Sequence, residues 1–337
     1  MILELTDRGL YCGPGDFYVD PWQPVPRAVV THAHADHARP GSRRYLIAAP
    51  GESVMRLRMG PAATIETVPF GQTVSLSGVA VSFHPAGHIL GSAQVRVAYR
   101  GEVWVVSGDY KIAADPTCAP FEAVPCDTFI TEATFGLPIY RWPEEAKVAA
   151  QINTWWRQNQ AKGRASVLFA YALGKAQRVL AAVDPLIGPI YVHGAVHKVN
   201  QAYRAAGVSL PATTYVGEAA ADADWARALI VAPTSAQNSA WLRRFGPQAT
   251  AFASGWMRVR GQRRRRSVDR GFVLSDHADW LGLLQAIEAS GAEQVLVTHG
   301  SSAALVRWLR EQGRQAAMLQ TPFAGEQEDA PVEDDDA

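Results

Sequence analysis

The sequence is poor in cysteine and has no long apolar run, no net charge and no internal repeat. Three cysteines, Cys12, Cys118 and Cys126, stand among 337 residues without a CxxC pair or a paired spacing, which excludes a disulfide framework. They read as small buried or half-buried thiols in a reducing compartment. No stretch approaches the roughly 18 consecutive apolar residues of a membrane span, and the opening MILELTDRGLYCGPGDFYVD lacks the basic and then apolar pattern of a secretory signal. The expectation is a cytoplasmic protein with no membrane contact. No period of about 20 to 50 residues recurs, so solenoids and propellers are excluded.

What is present is ample apolar material: 48% hydrophobic and 19% charged residues suit one large layered core or two smaller ones and rule out global disorder. The balance of 32 basic and 32 acidic residues conceals an asymmetry. Residues 326–337, EQEDAPVEDDDA, hold seven acidic and no basic groups, so the remainder, with 32 basic and 25 acidic residues, carries +7. The tail reads as a solvated, disordered extension, with competition against a polyanionic ligand as the alternative.

Short apolar runs end abruptly in chemically active residues: AVVTH at 28–32, VAVSFHPAGH at 79–88, VWVVSGD at 103–109, TFITEATFG at 128–136, GFVLSDH at 271–277 and VLVTHG at 295–300. Each reads as a buried strand delivering a side chain at its C-terminal end, the edge where layered α/β proteins bind ligands. Helices are expected after Trp142 with Pro143 in the first position, over 280–289, and over 301–311 with a stop at Gly313. A second set of elements, SVLFAYALG, a helix over 176–182, PIYVHG, LIVAP and TAFASG, fills the middle. The active strand ends stop near 136 and resume near 271, which predicts an inserted domain.

Thr31-His32-Ala33-His34-Ala35-Asp36-His37 carries the strongest chemistry: three imidazoles and a carboxylate within six residues, just after a strand. Imidazole and carboxylate are preferred ligands for zinc and manganese, and alternation in a tight loop sends groups to two sides, enough to feed two cations. Further ligands are expected at other strand ends, where His88, Asp109 and His299 stand.

Together these residues resemble the metallo-β-lactamase fold and, within it, the β-CASP nucleases. HAHADH, AGHILGSA and SGDY are similar to the second, third and fourth motifs of that fold; TEATFG, SDHADW and VTHG resemble the three extra β-CASP motifs, and ALGKAQ at 172–177 is similar to the AxGRxQ stretch of the inserted domain. The compact chain resembles most the bacterial DNA-ligase-associated exonucleases. The resemblance implies an αββα sandwich with an inserted α/β β-CASP domain: residues 1–146 and 270–325 for the sandwich, 147–269 for the insert, 326–337 for the acidic tail. It implies that His32, His34 and His88 hold one divalent ion, Zn2+ or Mn2+, that Asp36, His37 and His299 hold another, and that Asp109 bridges them. Asp20 is similar to the first-motif aspartate that orients a ligand, with Asp7 and Asp16 as nearby competitors. His277, held by Glu132, would donate a proton to the leaving oxygen.

MRVRGQRRRRSVDR at 257–270 holds seven arginines against one aspartate. Arginine forks suit phosphate oxygens, so Arg258, Arg260, Arg263, Arg264, Arg265 and Arg266 are candidate nucleic-acid contacts, a solvated basic loop being the bland reading. Ser254 resembles part of a small-residue turn beside a phosphate. His193 and His197 lack the glutamate of an HExxH site, and Trp155-Trp156 reads as core packing. The expected function is two-metal hydrolysis of DNA by an exonuclease, with a functional link to an ATP-dependent DNA ligase and a helicase. RNA is the alternative, because a histidine at the position of His299 is more typical of RNA enzymes in that family. A small-molecule hydrolase of the same fold would lack the insert, the Glu132–His277 pair and the arginine run.

Overall fold

The apolar runs become the strands of three sheets in the computed structural model, which describes residues 2–259, 261 and 268–321. Numbered along the chain, the strands are β1 (Glu4–Leu5), β2 (Leu10–Cys12), β3 (Phe17–Val19), β4 (Ala28–Val29), β5 (Tyr45–Ala48), β6 (Ile65–Val68), β7 (Thr73–Leu76), β8 (Val79–Pro85), β9 (Ala93–Tyr99), β10 (Glu102–Val106), β11 (Thr128–Glu132), β12 (Ala165–Phe169), β13 (Ile190–Val192), β14 (Thr214–Tyr215), β15 (Leu229–Ala232), β16 (Gln248–Ala253), β17 (Arg270–Phe272), β18 (Gln294–Thr298) and β19 (Gln315–Met318). The chain divides into two units, residues 2–141 with 277–321, and residues 142–276.

In the first unit, β1 to β6 form one sheet in sequence order, and a second runs β19-β18-β11-β10-β9-β8-β7. Alternation along the second sheet explains the layering. Trp104, Val106 and Ile130 turn to a core shared with Leu10, Val19 and Leu46 of the first sheet. Val105, Phe129, Val295 and Val297 turn the other way, onto Leu283, Ile287, Leu305 and Leu309. Those four leucine and isoleucine side chains come from the helices Trp280–Ser290 and Ser302–Glu311. The helix Glu52–Met59, which buries Val54 and Met55, lies against β6. The result is the αββα order of a metallo-β-lactamase sandwich.

The second unit is an all-parallel sheet, β14-β13-β15-β12-β16-β17. Its strands ASVLF and LIVA are buried throughout because helices or turns cover both faces. On one face Leu168, Val231 and Ala251 meet Ile152, Trp155 and Trp156 of the helix Glu145–Gln160 and Val179 and Leu180 of the helix Lys175–Ala182. On the other, Val167, Ile230 and Phe252 meet Val216, Phe245 and Met257. This inserted α/β layer has the class and place in the chain expected of a β-CASP insert. Among the described residues no helix is long and apolar enough to cross a membrane.

Two sequence expectations change here. Pro143 does not open a helix; the helix begins at Glu145 after Glu144 at its N-cap, so the proline ends the extended approach. The run GFVLSDH is not one strand: β17 stops at Phe272 and pairs with β16 of the second unit's sheet, and 273–279 has neither helix nor strand. The unit boundaries therefore fall at 141 and 277 rather than 146 and 270. The acidic tail, 326–337, lies outside the described residues.

None of the three cysteines forms a disulfide; Cys12 and Cys126 are buried and Cys118 is half-buried. Burial raises the Cys12 thiol, and burial first, then Asp127, pushes Cys126 up to about 12. Iodoacetamide at pH 8 should therefore label at most Cys118 in the folded chain and all three thiols in denaturant, as read by mass spectrometry. Labelling of folded Cys126 would contradict this core.

Candidate metal centre

Three ligand residues stand three positions beyond the end of a strand: His32 after Val29 of β4, His88 after Pro85 of β8 and Asp109 after Val106 of β10. His299 follows Thr298 of β18 directly, and Glu132 is the last residue of β11. Strands β8, β10, β11 and β18 therefore bring His88, Asp109, Glu132 and His299 to one edge of the second sheet, and β4 of the first sheet brings His32 to them. Glycines let the loops turn there. Gly108 has φ +55°, and a Cβ on it would lie 2.6 Å from Thr31 Cβ; one on Gly87, φ +74°, would lie 2.3 Å from Lys111 O.

His34 Nδ1 lies 3.1 Å from His32 Nε2 and 3.0 Å from His88 Nε2. Asp109 Oδ2 is 3.6 Å from His32 Nε2 and 3.8 Å from His88 Nε2. On its other side the same oxygen is 3.5 Å from His37 Nε2, which is 3.8 Å from Asp36 Oδ2. The His299 ring stacks on His37 with centroids 5.3 Å apart. Ligand atoms of His32, His34, His88 and Asp109 fall within 4.8 Å of one another, as do those of Asp36, His37 and His299. Beside them His277 Nδ1 is 3.0 Å from Glu132 Oε2 and 4.0 Å from Asp109 Oδ2.

No family model matches the chain. A protein of Opitutus terrae named "Probable DNA ligase" is 32% identical over 312 residues, which cover 92% of this chain and 30% of that one. "Endoribonuclease YSH1" of Eremothecium gossypii is 32% identical over 124 residues, 36% of this chain and 16% of its own, and the Saccharomyces cerevisiae protein of that name is 30% identical over 124 residues, covering 36% and 15%. This chain is a β-CASP nuclease-like protein of the metallo-β-lactamase fold. It spans less than a third of the Opitutus terrae protein and about a sixth of the two YSH1 proteins. The crystal structure of a protein of unknown function from Enterococcus faecalis V583 superimposes with a TM-score of 0.56 at 11% identity, covering 89% of this chain and 80% of that one.

The β-CASP-like centre suits two divalent cations. His34 Nδ1 lies about 3 Å from a ring nitrogen of His32 and of His88, contacts in which one ring hydrogen can serve as donor and which a cation would replace by coordination. His37 Nε2 is buried without a hydrogen bond and faces the Asp109 and Asp36 oxygens at 3.5 and 3.8 Å, a donor set that suits a cation. Mixed nitrogen and oxygen donors suit borderline ions. Burial, then the neighbouring His37, drives His32 well below its ordinary pKa, and the same two causes lower His299. Burial would lower His37 too, but Asp109, Asp36 and Asp20 outweigh it and hold that imidazole well above the usual value. Burial would raise Asp109, yet His37 and His277 hold it well below. A proton and a cation thus compete at His37, and acid favours the proton.

Asp20 sits behind this cluster. Its Oδ2 is 2.7 Å from His37 Nδ1 and accepts from Thr31 Oγ1 at 2.6 Å, while Oδ1 accepts from Thr31 N at 2.8 Å. Asp16 instead accepts from Tyr11 Oη at 3.1 Å, and Asp7 offers its backbone oxygen to Trp22 Nε1. Asp20 and His299 have φ of +43° and +59°, a left-handed backbone that costs roughly 1 kcal/mol for such residues and marks stored strain. Sequence reasoning gave Thr31 no role, although it adjoins the metal motif. Its hydroxyl ties Asp20 to the loop and lies 3.1 Å from His32 Nδ1.

Other candidates fall elsewhere. Ser254 is fully buried and accepts from Trp256 N at 3.3 Å, at the start of the turn Gly255–Arg258. Arg258 is exposed at the end of that turn, whereas Arg260, Arg263, Arg264, Arg265 and Arg266 lie outside the described residues. His193 caps the helix Gly194–Ala205 through Ala195 N, and His197 bonds Gln201.

Reconstituted protein should bind two divalent ions per chain by elemental analysis, and His34→Ala or His299→Ala about one. Asp20→Asn should weaken the His37 cluster roughly 10- to 100-fold in chelator competition. One ion bound by wild type would contradict the paired clusters.

Proposed function

We propose that the chain hydrolyses phosphodiester bonds of nucleic acid with two divalent cations, as a DNA exonuclease of ligase-associated repair in the cytoplasm. The observation that carries this reading is the junction of two ligand clusters at one carboxylate, Asp109, with the His277–Glu132 pair beside it. Zinc or manganese fits the donors. His32, His34 and His88 would hold one ion, Asp36, His37 and His299 the other, and Asp109 both. When bound, such ions activate water and neutralise charge developing on the phosphoryl group.

The remaining chemistry belongs to the chain. A sugar oxygen leaving phosphorus needs a proton as the bond breaks. Both oxygens of the buried Glu132 carboxylate lie 3.0–3.1 Å from His277 Nδ1, and Glu132 Oε1 also accepts from Tyr110 N at 2.9 Å. The pair thus holds the ring in one orientation, with Nδ1 committed to Glu132 and Nε2 as the candidate donor to the leaving oxygen. The net charge of +7 outside the acidic tail and the arginines at 258–270 favour a polyanionic substrate. A ligase-named relative across 92% of the chain supports DNA. The endoribonuclease relatives and His299 favour RNA as the second reading.

The test is cleavage of matched DNA and RNA strands, labelled at either end, by metal-loaded wild type, His37→Ala and His277→Ala. Release of mononucleotides from DNA by wild type is expected, with a loss of about 10²- to 10⁴-fold in His277→Ala. Preferential RNA cutting would move the assignment to RNA processing; inactivity on both with metal bound would overturn the nuclease reading.

A further inference from the structure

The ALGKAQ segment takes no part in the metal centre. It opens the helix Lys175–Ala182, and Gln177 closes the helix start: Oε1 accepts from Gly174 N at 2.8 Å, while Nε2 donates to Ala172 O at 3.0 Å and Asn200 Oδ1 at 2.8 Å. Lys175 is fully buried. Its ammonium stands 4.2 Å from the centre of the Tyr171 ring and 3.1 Å from Oδ1 of Asp276, which is also buried. Arg178, buried too, donates from Nη1 to Ser275 O at 3.1 Å and to Glu145 Oε1 at 2.9 Å. Residues three apart share a helix face. One face of one helix therefore grips two consecutive residues, one by its carbonyl and one by its carboxylate.

The residue after Asp276 is His277. The stretch 273–279 runs from the end of β17 to the helix that starts at Trp280 with neither helix nor strand of its own; beyond His277 its backbone is held where Ala278 N donates to Tyr110 O at 2.6 Å, so what remains to be fixed is the approach from Ser275 and Asp276. A buried lysine–aspartate pair is costly to desolvate and gives no stability that apolar side chains of like volume would not. What it adds is direction, because an ion pair at 3.1 Å, though without hydrogen-bond geometry at Oδ1, restricts where the chain that carries Asp276 can run. We propose that Lys175, seconded by Arg178, is a positioning residue for His277: it anchors Asp276, and so sets the backbone that enters the proton donor. The inference rests on His277 being that donor.

Metal-loaded full-length wild type, His277→Ala, Lys175→Met, Lys175→Arg and the doubly neutral Lys175→Met/Asp276→Leu are compared on two substrates. One is a nucleic-acid strand, whose leaving oxygen needs a proton; the other is a nucleoside p-nitrophenyl phosphate, whose leaving group does not. Lys175→Met should lower kcat on the strand at least about tenfold, a fraction of what a lost general acid costs. Its KM, metal content and p-nitrophenyl ester rate should match wild type. Lys175→Arg should restore strand cleavage to within about threefold, since a cation again reaches Asp276. The double variant should melt near wild type and keep the defect, which separates positioning from folding. Wild-type strand cleavage by Lys175→Met alongside a defective His277→Ala would overturn the inference, as would parallel losses on both substrates or loss of metal. Normal strand cleavage by His277→Ala would remove the proton-donor reading, and the positioning role with it.

Discussion

Ligand groups crowded at one end of a sandwich are the constraint on which the rest of the first unit depends. Half-buried His34 brings its Nδ1 to about 3 Å from ring nitrogens of the buried His32 and His88, with the Asp109 carboxylate close by. Burying so many imidazoles and a carboxylate together is costly unless each finds a partner. A cation would supply one to all of them. An ion held at about a hundred times its Kd adds about 2.7 kcal/mol to the folded state, a sizeable share of the 5–15 kcal/mol typical of a domain. The sheets must therefore be rigid enough to hold the ligands together before a cation arrives. Val105, Phe129 and Val297, fully or almost fully buried beneath the ligand-bearing edge, supply that stiffness.

The same constraint explains why carboxylates stand behind imidazoles twice. Asp20 takes His37 Nδ1 and Glu132 takes His277 Nδ1. In each case the second ring nitrogen is left with a defined tautomer and direction. The supports differ in their outcome. Asp20 holds Nδ1 of His37, whose Nε2 faces Asp109 and Asp36 among the ligands; Glu132 holds Nδ1 of His277, which stands beside the cluster. Thr31 and Gly108 make the first arrangement possible, since the threonine hydroxyl reaches Asp20 only because no Cβ stands at 108.

Much of this was legible in the sequence, and the reason is chemical density. Seven histidines and carboxylates at strand ends have no packing purpose, so HAHADH, AGHILGSA, SGDY and VTHG announce ligands whatever the fold. The parallel core strands were legible too, since LIVA and SVLF are apolar throughout. Short edge elements were not. β1 and β14 are two residues long, too short for any periodicity, and exist because neighbours supply their hydrogen bonds. β17 misled for a related reason: GFVL has the composition of a core strand, but pairing with β16 ends after Phe272. Composition reports burial; the partner decides where a ladder stops. Lys175 was invisible as a buried charge, because its partner Asp276 lies 101 positions away.

The Glu132–His277 pair separates this centre from a general metallohydrolase of the same fold. Two cations can polarise many bonds, and a ring-opening or thioester hydrolysis expels a group that departs readily. A sugar alkoxide does not, so a centre built for phosphodiesters gains from a proton held ready within reach of the leaving oxygen. Keeping that proton needs a buried carboxylate beside the ring, and a carboxylate so near a cation site would itself be drawn to the metal. Here Glu132 Oε1 already accepts the Tyr110 amide, and both of its oxygens face His277. Bonds made by the backbone thus hold Glu132 to its proton task. Tyr110 is fully buried, with its hydroxyl 2.9 Å from Thr131 Oγ1, and it follows Asp109 directly. The candidate bridging residue therefore adjoins the one whose amide holds Glu132, which would keep the ligand cluster and the His277–Glu132 pair in register.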